Sequence, residues 1–180
     1  KPLNSGKGSA YEGGIREPMI VKWPGKVKPA SKCNDYLIIE DFYPTIIEMA
    51  GIKDYSTVQK VDGKSIVPML LQSGTTSSGR KLFWHFPNNW GPTGPGIGAS
   101  STIRDGEWKL IYFYEDKRFE LYNINEDIGE LNNLAASQPD KVREMAKDMG
   151  NYLRSIDAQR PSYKATGKVA EWADEVLMNQ

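Results

Sequence analysis

Gly6-Lys7-Gly8-Ser9-Ala10-Tyr11-Glu12-Gly13-Gly14-Ile15-Arg16-Glu17-Pro18 carries more information than any other part of the 180-residue chain. It places four glycines and four charges in one short loop and runs straight into Met19-Ile20-Val21-Lys22-Trp23-Pro24-Gly25. Glycines let the backbone take φ > 0 and let other groups approach it closely. A lysine between two of them can be pushed far into a cleft. Its ammonium is a compact point charge suited to an oxyanion such as sulfate or phosphate. A Gly-Lys-Gly tripeptide by itself is also what a solvated surface loop looks like, so the tripeptide decides nothing. The whole segment does.

Taken as a unit, the segment resembles the sulfatase signature G-K-G-(S/T)-x-Y-E-G-G-x-R-x-P. Three more segments follow in the same family's order. Asp41-Phe42-Tyr43-Pro44-Thr45-Ile46-Ile47-Glu48-Met49-Ala50-Gly51-Ile52 is similar to D-x-x-P-T-(L/I)-(L/I)-x-x-A-G-(I/V). Asp62-Gly63-Lys64-Ser65-Ile66-Val67-Pro68-Met69-Leu70 is similar to D-G-x-S-x-x-P-x-L. Ile103-Arg104-Asp105-Gly106-Glu107-Trp108-Lys109-Leu110-Ile111, with Glu120-Leu121-Tyr122-Asn123, resembles the hairpin of the family's C-terminal subdomain. The resemblance, to formylglycine-dependent sulfatases of the alkaline phosphatase superfamily, covers residues 1–156.

That resemblance implies a role for Lys7. It would contact the substrate sulfate and neutralise charge as the ester bond breaks, a preplaced cation meeting a developing anion. Tyr11, Glu12 and Arg16 match the motif as residues that hold the loop. The glutamate and arginine, four apart across a glycine-rich turn, can pair. The family nucleophile, a formylglycine made from C/S-x-P-x-R, has no counterpart here. The single cysteine, Cys33, sits in Ser31-Lys32-Cys33-Asn34-Asp35. The family's calcium ligands belong mostly to segments before the glycine-rich loop. Carboxylates at Asp35, Glu40, Asp41 and Asp54 are too scattered for the six to eight converging oxygens that calcium takes, so no metal ligand is assigned. The expectation is the C-terminal part of a sulfatase, inert alone. Ca2+ and formylglycine would be supplied by the N-terminal catalytic part of the same protein, and the full-length enzyme would be exported.

Composition narrows the class. Lysine plus arginine and aspartate plus glutamate both total 23, so the net charge is zero. A nucleic-acid binder would show a basic excess. No apolar run is long enough for a membrane span. One cysteine rules out an internal disulfide framework.

The expected fold is α/β: the edge of a large alkaline-phosphatase-like sheet, then a four-stranded antiparallel sheet packed by one long helix. Met19 to Trp23 reads as a core strand entered through Pro18, and Tyr36 to Ile39 as another short one. A helix follows with Pro44 in its first turn and Gly51 as its stop. Ser65 to Leu71 is a short amphipathic segment. The polar run 72–80 divides a catalytic-domain remnant, 1–75, from a small subdomain, 81–160, with 161–180 as a tail. Leu82 to Phe86, Ser100 to Arg104, Glu107 to Tyr114 and Phe119 to Ile124 read as strands, with Asp105-Gly106 marking a tight turn. Val142, Met145, Ala146, Met149, Leu153 and Ile156 form one stripe of a helix whose first turn holds Pro139. Val169 to Met178 suggests a short terminal helix.

His85, the only histidine, has two readings. It either points from a strand end into the active-site mouth, binding substrate or assisting the leaving alcohol, or it is a satisfied histidine in an aromatic strand. Trp90, in a Gly/Pro-rich loop, either stacks on a sugar ring or anchors the loop; Asn88 and Asn89 could bind hydroxyls or simply make turns. The preferred substrate is a sulfated carbohydrate. A phosphoester or phosphonate hydrolase of the same superfamily, and a non-catalytic carbohydrate-binding module using Trp84 and Trp90, are the alternatives.

Overall fold

The computed structural model describes residues 2–88, 91 and 93–178. Their contacts form two compact units, one joining Lys1–Glu17 to Lys81–Gln180 and the other comprising Pro18–Arg80.

The first unit is built on a four-stranded antiparallel meander: β1 (Lys81–Phe86), β2 (Ser100–Asp105), β3 (Trp108–Phe113) and β4 (Arg118–Asn123), in that spatial order. The register opposes Asp105 to Trp108 and Leu110 to Leu121. A two-residue turn, Gly106-Glu107, therefore closes the β2–β3 hairpin, with Gly106 at φ +58° as such turns require. Side-chain alternation then decides which face each residue joins. Leu110 and Tyr112 of β3, with Ile103 and Leu121, turn toward the long helix α4 (Pro139–Ser155). Lys109, Ile111 and Phe113 of the same strand take the opposite face, where the glycine-rich loop lies.

The helix α4 buries Val142, Met145, Ala146, Met149 and Leu153, the expected stripe, and Pro139 stands in its first turn. Ile156 is the exception: it lies past the helix end and is half exposed. The last segment is no loose appendage. The helix α5 (Ala173–Met178), with Trp172 and Ala170 just before it, completes the core against α4. Asp174 is clamped by Arg154 of α4 at 2.5 Å.

The second unit holds a 3-10 turn (Ile39–Asp41), helix α2 (Phe42–Met49) and helix α3 (Val67–Leu70). The Gly51 N–H donates to Glu48 and the Ile52 N–H to Ile47, and Gly51 sits at φ +75°, the Schellman ending its sequence calls for. Asp41, fully buried, organises the unit. Its carboxylate receives both Arg80 Nη atoms at 2.7 and 2.8 Å and the N–H groups of Ile38 and Lys64. Burial alone would raise its pKa, but these four donors outweigh that and hold it below the usual carboxylate range.

The strands expected over Met19–Trp23 and Tyr36–Ile39 do not form among the described residues; the first has no regular secondary structure, the second runs irregularly into the 3-10 turn at Ile39, and Ile20 is almost fully exposed. A strand needs a neighbour to take up its N–H and C=O groups, and none of the described segments pairs with either stretch. No helix among the described residues is long and apolar enough to cross a membrane.

Candidate functional site

The glycine-rich loop is mounted on the sheet of the first unit, grouped with residues 81–180 and not with the 18–75 segment that sequence order suggested. At its tip the Ser9 N–H donates to the Gly6 carbonyl across Lys7-Gly8, with Gly8 at φ +87°, the arrangement of a type II turn. Lys7 occupies the corner of that turn. Its side chain is exposed, and its ammonium has no hydrogen-bond or ion-pair partner among the described residues. A free lysine at a turn corner can accept an anion without first giving up a protein contact.

Behind the tip the loop is tied down. The Asn4 carbonyl accepts from the Gly13 N–H at 2.9 Å, and the Gly96 carbonyl accepts from the Ala10 N–H at 2.8 Å. Ser5 and Ser9 hydroxyls both donate to the Pro95 carbonyl. A Cβ at Gly13 would strike the Asn4 and Ser5 carbonyls and one at Gly14 the Ser9 carbonyl, so the paired glycines are required by close backbone approach.

The short helix α1 (Glu12–Ile15) then sets Glu12 against the sheet. Glu12 is buried. It accepts from Lys109 Nζ at 2.9 Å, and Arg16, the partner sequence spacing predicts, reaches it at 3.3 Å. Lys109 Nζ also donates to Glu130 at 2.8 Å, while the other oxygen of Glu130 accepts from the Glu12 N–H at 2.6 Å. Arg104 stands 3.9 Å from Glu12. Burial raises the pKa of Glu130, opposed by Lys109. Beside this cluster, Tyr11 and Tyr122 both donate to one oxygen of Glu120, at 2.8 and 2.9 Å, and Arg118 Nε meets the other at 2.9 Å. Burial, reinforced by the bond to Glu120, pushes the Tyr11 phenol well above its ordinary value, so it stays a donor. From sequence, Lys109 and Glu120 stand only inside segments that carry the family resemblance, and neither they nor Glu130 has a role there. The signal was present: Lys109 is the one charge in Trp108-Lys109-Leu110-Ile111-Tyr112-Phe113, a strand whose other residues are apolar.

A groove of about 560 Å3 shares Tyr11 with the loop. Residues 94–99, Phe113, Glu115, Asp116, Arg118 and Glu120 line it as well. The Arg118 guanidinium lies 4.3 Å above the Phe113 ring.

The structure favours the second reading of His85. Nε2 is 2.7 Å from the Gln159 carbonyl, which can only accept, so Nε2 carries the proton. Nδ1 therefore accepts from the Ser101 hydroxyl at 2.8 Å, and Ser101 in turn lies 2.8 Å from the Tyr114 hydroxyl. Both ring nitrogens are spent inside the protein, and burial lowers the imidazole pKa. His85 therefore secures the chain near Gln159 to the sheet edge, with no nitrogen left for substrate in this arrangement. Asn89 and Trp90 lie outside the described residues.

The described residues fit neither a formylglycine nucleophile nor a bound calcium ion. Cys33 is an exposed thiol outside any C-x-P-x-R sequence. The one acidic triad found among the described residues, Asp105, Glu144 and Asp148, already carries Lys81, bonded to Asp148 at 2.5 Å and 3.4 Å from Asp105.

With loop, sheet and helix in place, comparison with known proteins gives a consistent result. Residues 6–159 match the family described as N-sulphoglucosamine sulphohydrolase, C-terminal, and the chain belongs to that sulfatase family. A protein from Formosa agariphila named Sulfatase is 41% identical over 160 residues, covering 86% of this chain and 29% of that protein. The N-acetylglucosamine-6-O-sulfatase of Bacteroides thetaiotaomicron is 27% identical over 157 residues, covering 86% of this chain and 26% of its own length. The crystal structure of Ps i-CgsB in complex with k-i-k-neocarrahexaose superposes with a TM-score of 0.73 at 27% identity, over 90% of this chain and 34% of that one. The chain thus spans about a third or less of the sulfatases it matches, their C-terminal part.

Proposed function

We propose that this chain is the part of a sulfatase that presents Lys7 to the sulfate group of a sulfated carbohydrate. The observation that carries the proposal is the exposed Lys7, unpartnered among the described residues, at a turn corner whose supporting loop is locked to a sheet by buried hydrogen bonds and ion pairs. Sulfate ester cleavage builds negative charge on oxygen, and a fixed cation at that point lowers the barrier. Formylglycine, the nucleophile of such enzymes, and the calcium beside it would come from outside this chain, since no residue here fits either. What these residues do is hold and orient the sulfate.

The carbohydrate part of the proposal is supported by the groove beside the loop, of the size small ligands occupy, and by the sugars named with two of the relatives. The second unit exposes Ile20, Ile39, Ile46 and Val58, a density of large apolar side chains unusual for a finished surface. In the complete enzyme these side chains and the Met19–Trp23 segment would be covered by the catalytic core, where that segment would find the strand partner it lacks here.

The test is Lys7→Ala in the complete polypeptide that carries this chain, assayed for sulfate release from p-nitrophenyl sulfate and from sulfated oligosaccharides. Loss of one oxyanion-stabilising group should lower kcat by about 100- to 1,000-fold with the fold unchanged. Turnover equal to wild type would overturn the role of Lys7, and activity on phosphate esters in place of sulfate esters would overturn the reaction class.

A further inference from the structure

We infer that Lys109 and Glu130 are positioning residues for Lys7, a conclusion that rests on the sulfate-holding role proposed above. Among the described residues Lys7 has no side-chain partner. Where its ammonium sits is therefore set by the backbone of the loop, which, besides its hydrogen bonds to Asn4, Pro95 and Gly96, is held from beneath by a buried charge cluster. Lys109, fully buried on β3, bridges Glu12 and Glu130 at 2.9 and 2.8 Å. Glu130 passes the constraint on to the main chain by accepting the N–H of Glu12, the first residue of α1 and five residues from Lys7. Glu130 itself stands at φ +51°, a left-handed conformation that non-glycine residues seldom adopt and that persists where the surroundings fix it.

A cluster of this kind is a poor way to gain stability, because desolvating three charges offsets most of their attraction; an apolar filling of the same space would serve as well or better. What it supplies is direction. Lys109, fully buried, finds both its carboxylate partners only when Glu12 and Glu130 stand as they do here, which ties α1 and the turn leading to it to one place on the sheet. Electrostatic catalysis depends on that fixity, since a cation displaced by an ångström no longer meets the developing charge.

Lys109→Met and Glu130→Gln, each alone and each combined with Lys7→Ala in the complete polypeptide, separate positioning from general support. On p-nitrophenyl sulfate the single variants should lower kcat by about 100-fold, more than they change KM, while Lys109→Arg restores part of the loss. In the Lys7→Ala background they should lower kcat no further, because the group they position is gone. Amide exchange supplies a readout free of activity: residues 6–14 should lose protection while β3 and α4 keep theirs. If Lys109→Met fails to fold, Glu130→Gln, which keeps side-chain shape, takes its place. Wild-type kcat in a folded single variant, an equal fold-loss with and without Lys7, or unchanged exchange over residues 6–14 would overturn the inference. If Lys7→Ala alone leaves turnover intact, the sulfate role of Lys7 fails, and the exchange result still reports on whether the cluster fixes the loop.

Discussion

Replacing Arg80 with methionine is the sharpest test of how the Pro18–Arg80 unit is held. Asp41 is fully buried, and Arg80 is only 9% exposed at its side chain. The carboxylate accepts four hydrogen bonds, two from Arg80 and one each from Ile38 and Lys64. Methionine fills the arginine stem but removes the charge and two donors, leaving a buried anion. Breaking a buried pair in this way costs about 3–5 kcal/mol, a large share of the roughly 5–15 kcal/mol that stabilises a typical domain. At roughly 2–4 °C per kcal/mol for chains of this length, the melting temperature should fall by roughly 6–20 °C. The penalty should also depend on pH in a definite sense. In the wild type the folded pKa of Asp41 lies below its unfolded value, so its contribution is complete above the unfolded pKa and is lost as pH falls through the folded one. Without Arg80 burial prevails, the carboxyl protonates more readily, and the gap between variant and wild type should narrow as the solution is acidified. Asp41→Asn with Arg80→Met should cost less than Arg80→Met alone, since no buried charge is then stranded. Thermal and urea denaturation measure the size, and amide exchange at Ile38 and Lys64 locates it. A loss below about 1 kcal/mol at neutral pH, the range of an exposed pair, would refute the reasoning.

Other outcomes follow from equally local contacts. Gly150→Ala should destabilise the protein in thermal melts even though alanine favours a helix interior by about 1 kcal/mol, because the new Cβ would strike the Asp174 carboxylate that Arg154 holds; a higher melting temperature would show that α5 is free to shift. Met149→Ala, at a position 1% exposed in the α4 core, should cost about 2–5 kcal/mol in denaturant titrations. The folded His85 pKa is lowered, so its neutral form supports the fold above the unfolded pKa and that support is lost as pH falls. Wild type should therefore lose more melting temperature on going from neutral to mildly acidic pH than His85→Gln does, and parallel losses would mean that His85 is not held as the Ser101 and Gln159 contacts describe.

Several elements were legible in the chain because their causes are local. The four strands of the meander, the turn signalled by Asp105-Gly106 and formed by Gly106-Glu107, the stripe of α4 and the Gly51 stop each follow from side-chain period or backbone conformational preference within a few residues. The Glu12–Arg16 pair was legible for the same reason, four residues apart across one turn. The Met19–Trp23 segment misled because apolar character marks a surface that wants burial without saying what will cover it; a strand exists only with a neighbour. His85 was undecided in the sequence because its setting, an aromatic strand before a glycine-rich loop, suits either use. Its bonds to Ser101 and to the carbonyl of Gln159, 16 and 74 residues away, engage both ring nitrogens, and no local pattern could foretell them.

The sequence by itself determined the family, through four ordered motifs, and singled out Lys7 as the cation proposed to meet an oxyanion. Tertiary structure alone decided what carries that lysine. Lys109 lies 97 residues from Glu12 and Glu130 lies 118, and Glu120 is 109 from Tyr11. No periodicity spans such separations. Alternation along β3 sends Lys109 to the face away from α4, and the meander brings Glu120 to that same face. Only there do the buried charges find partners, which is why the glycine-rich loop rests on the C-terminal sheet and not on the segment that follows it in the chain.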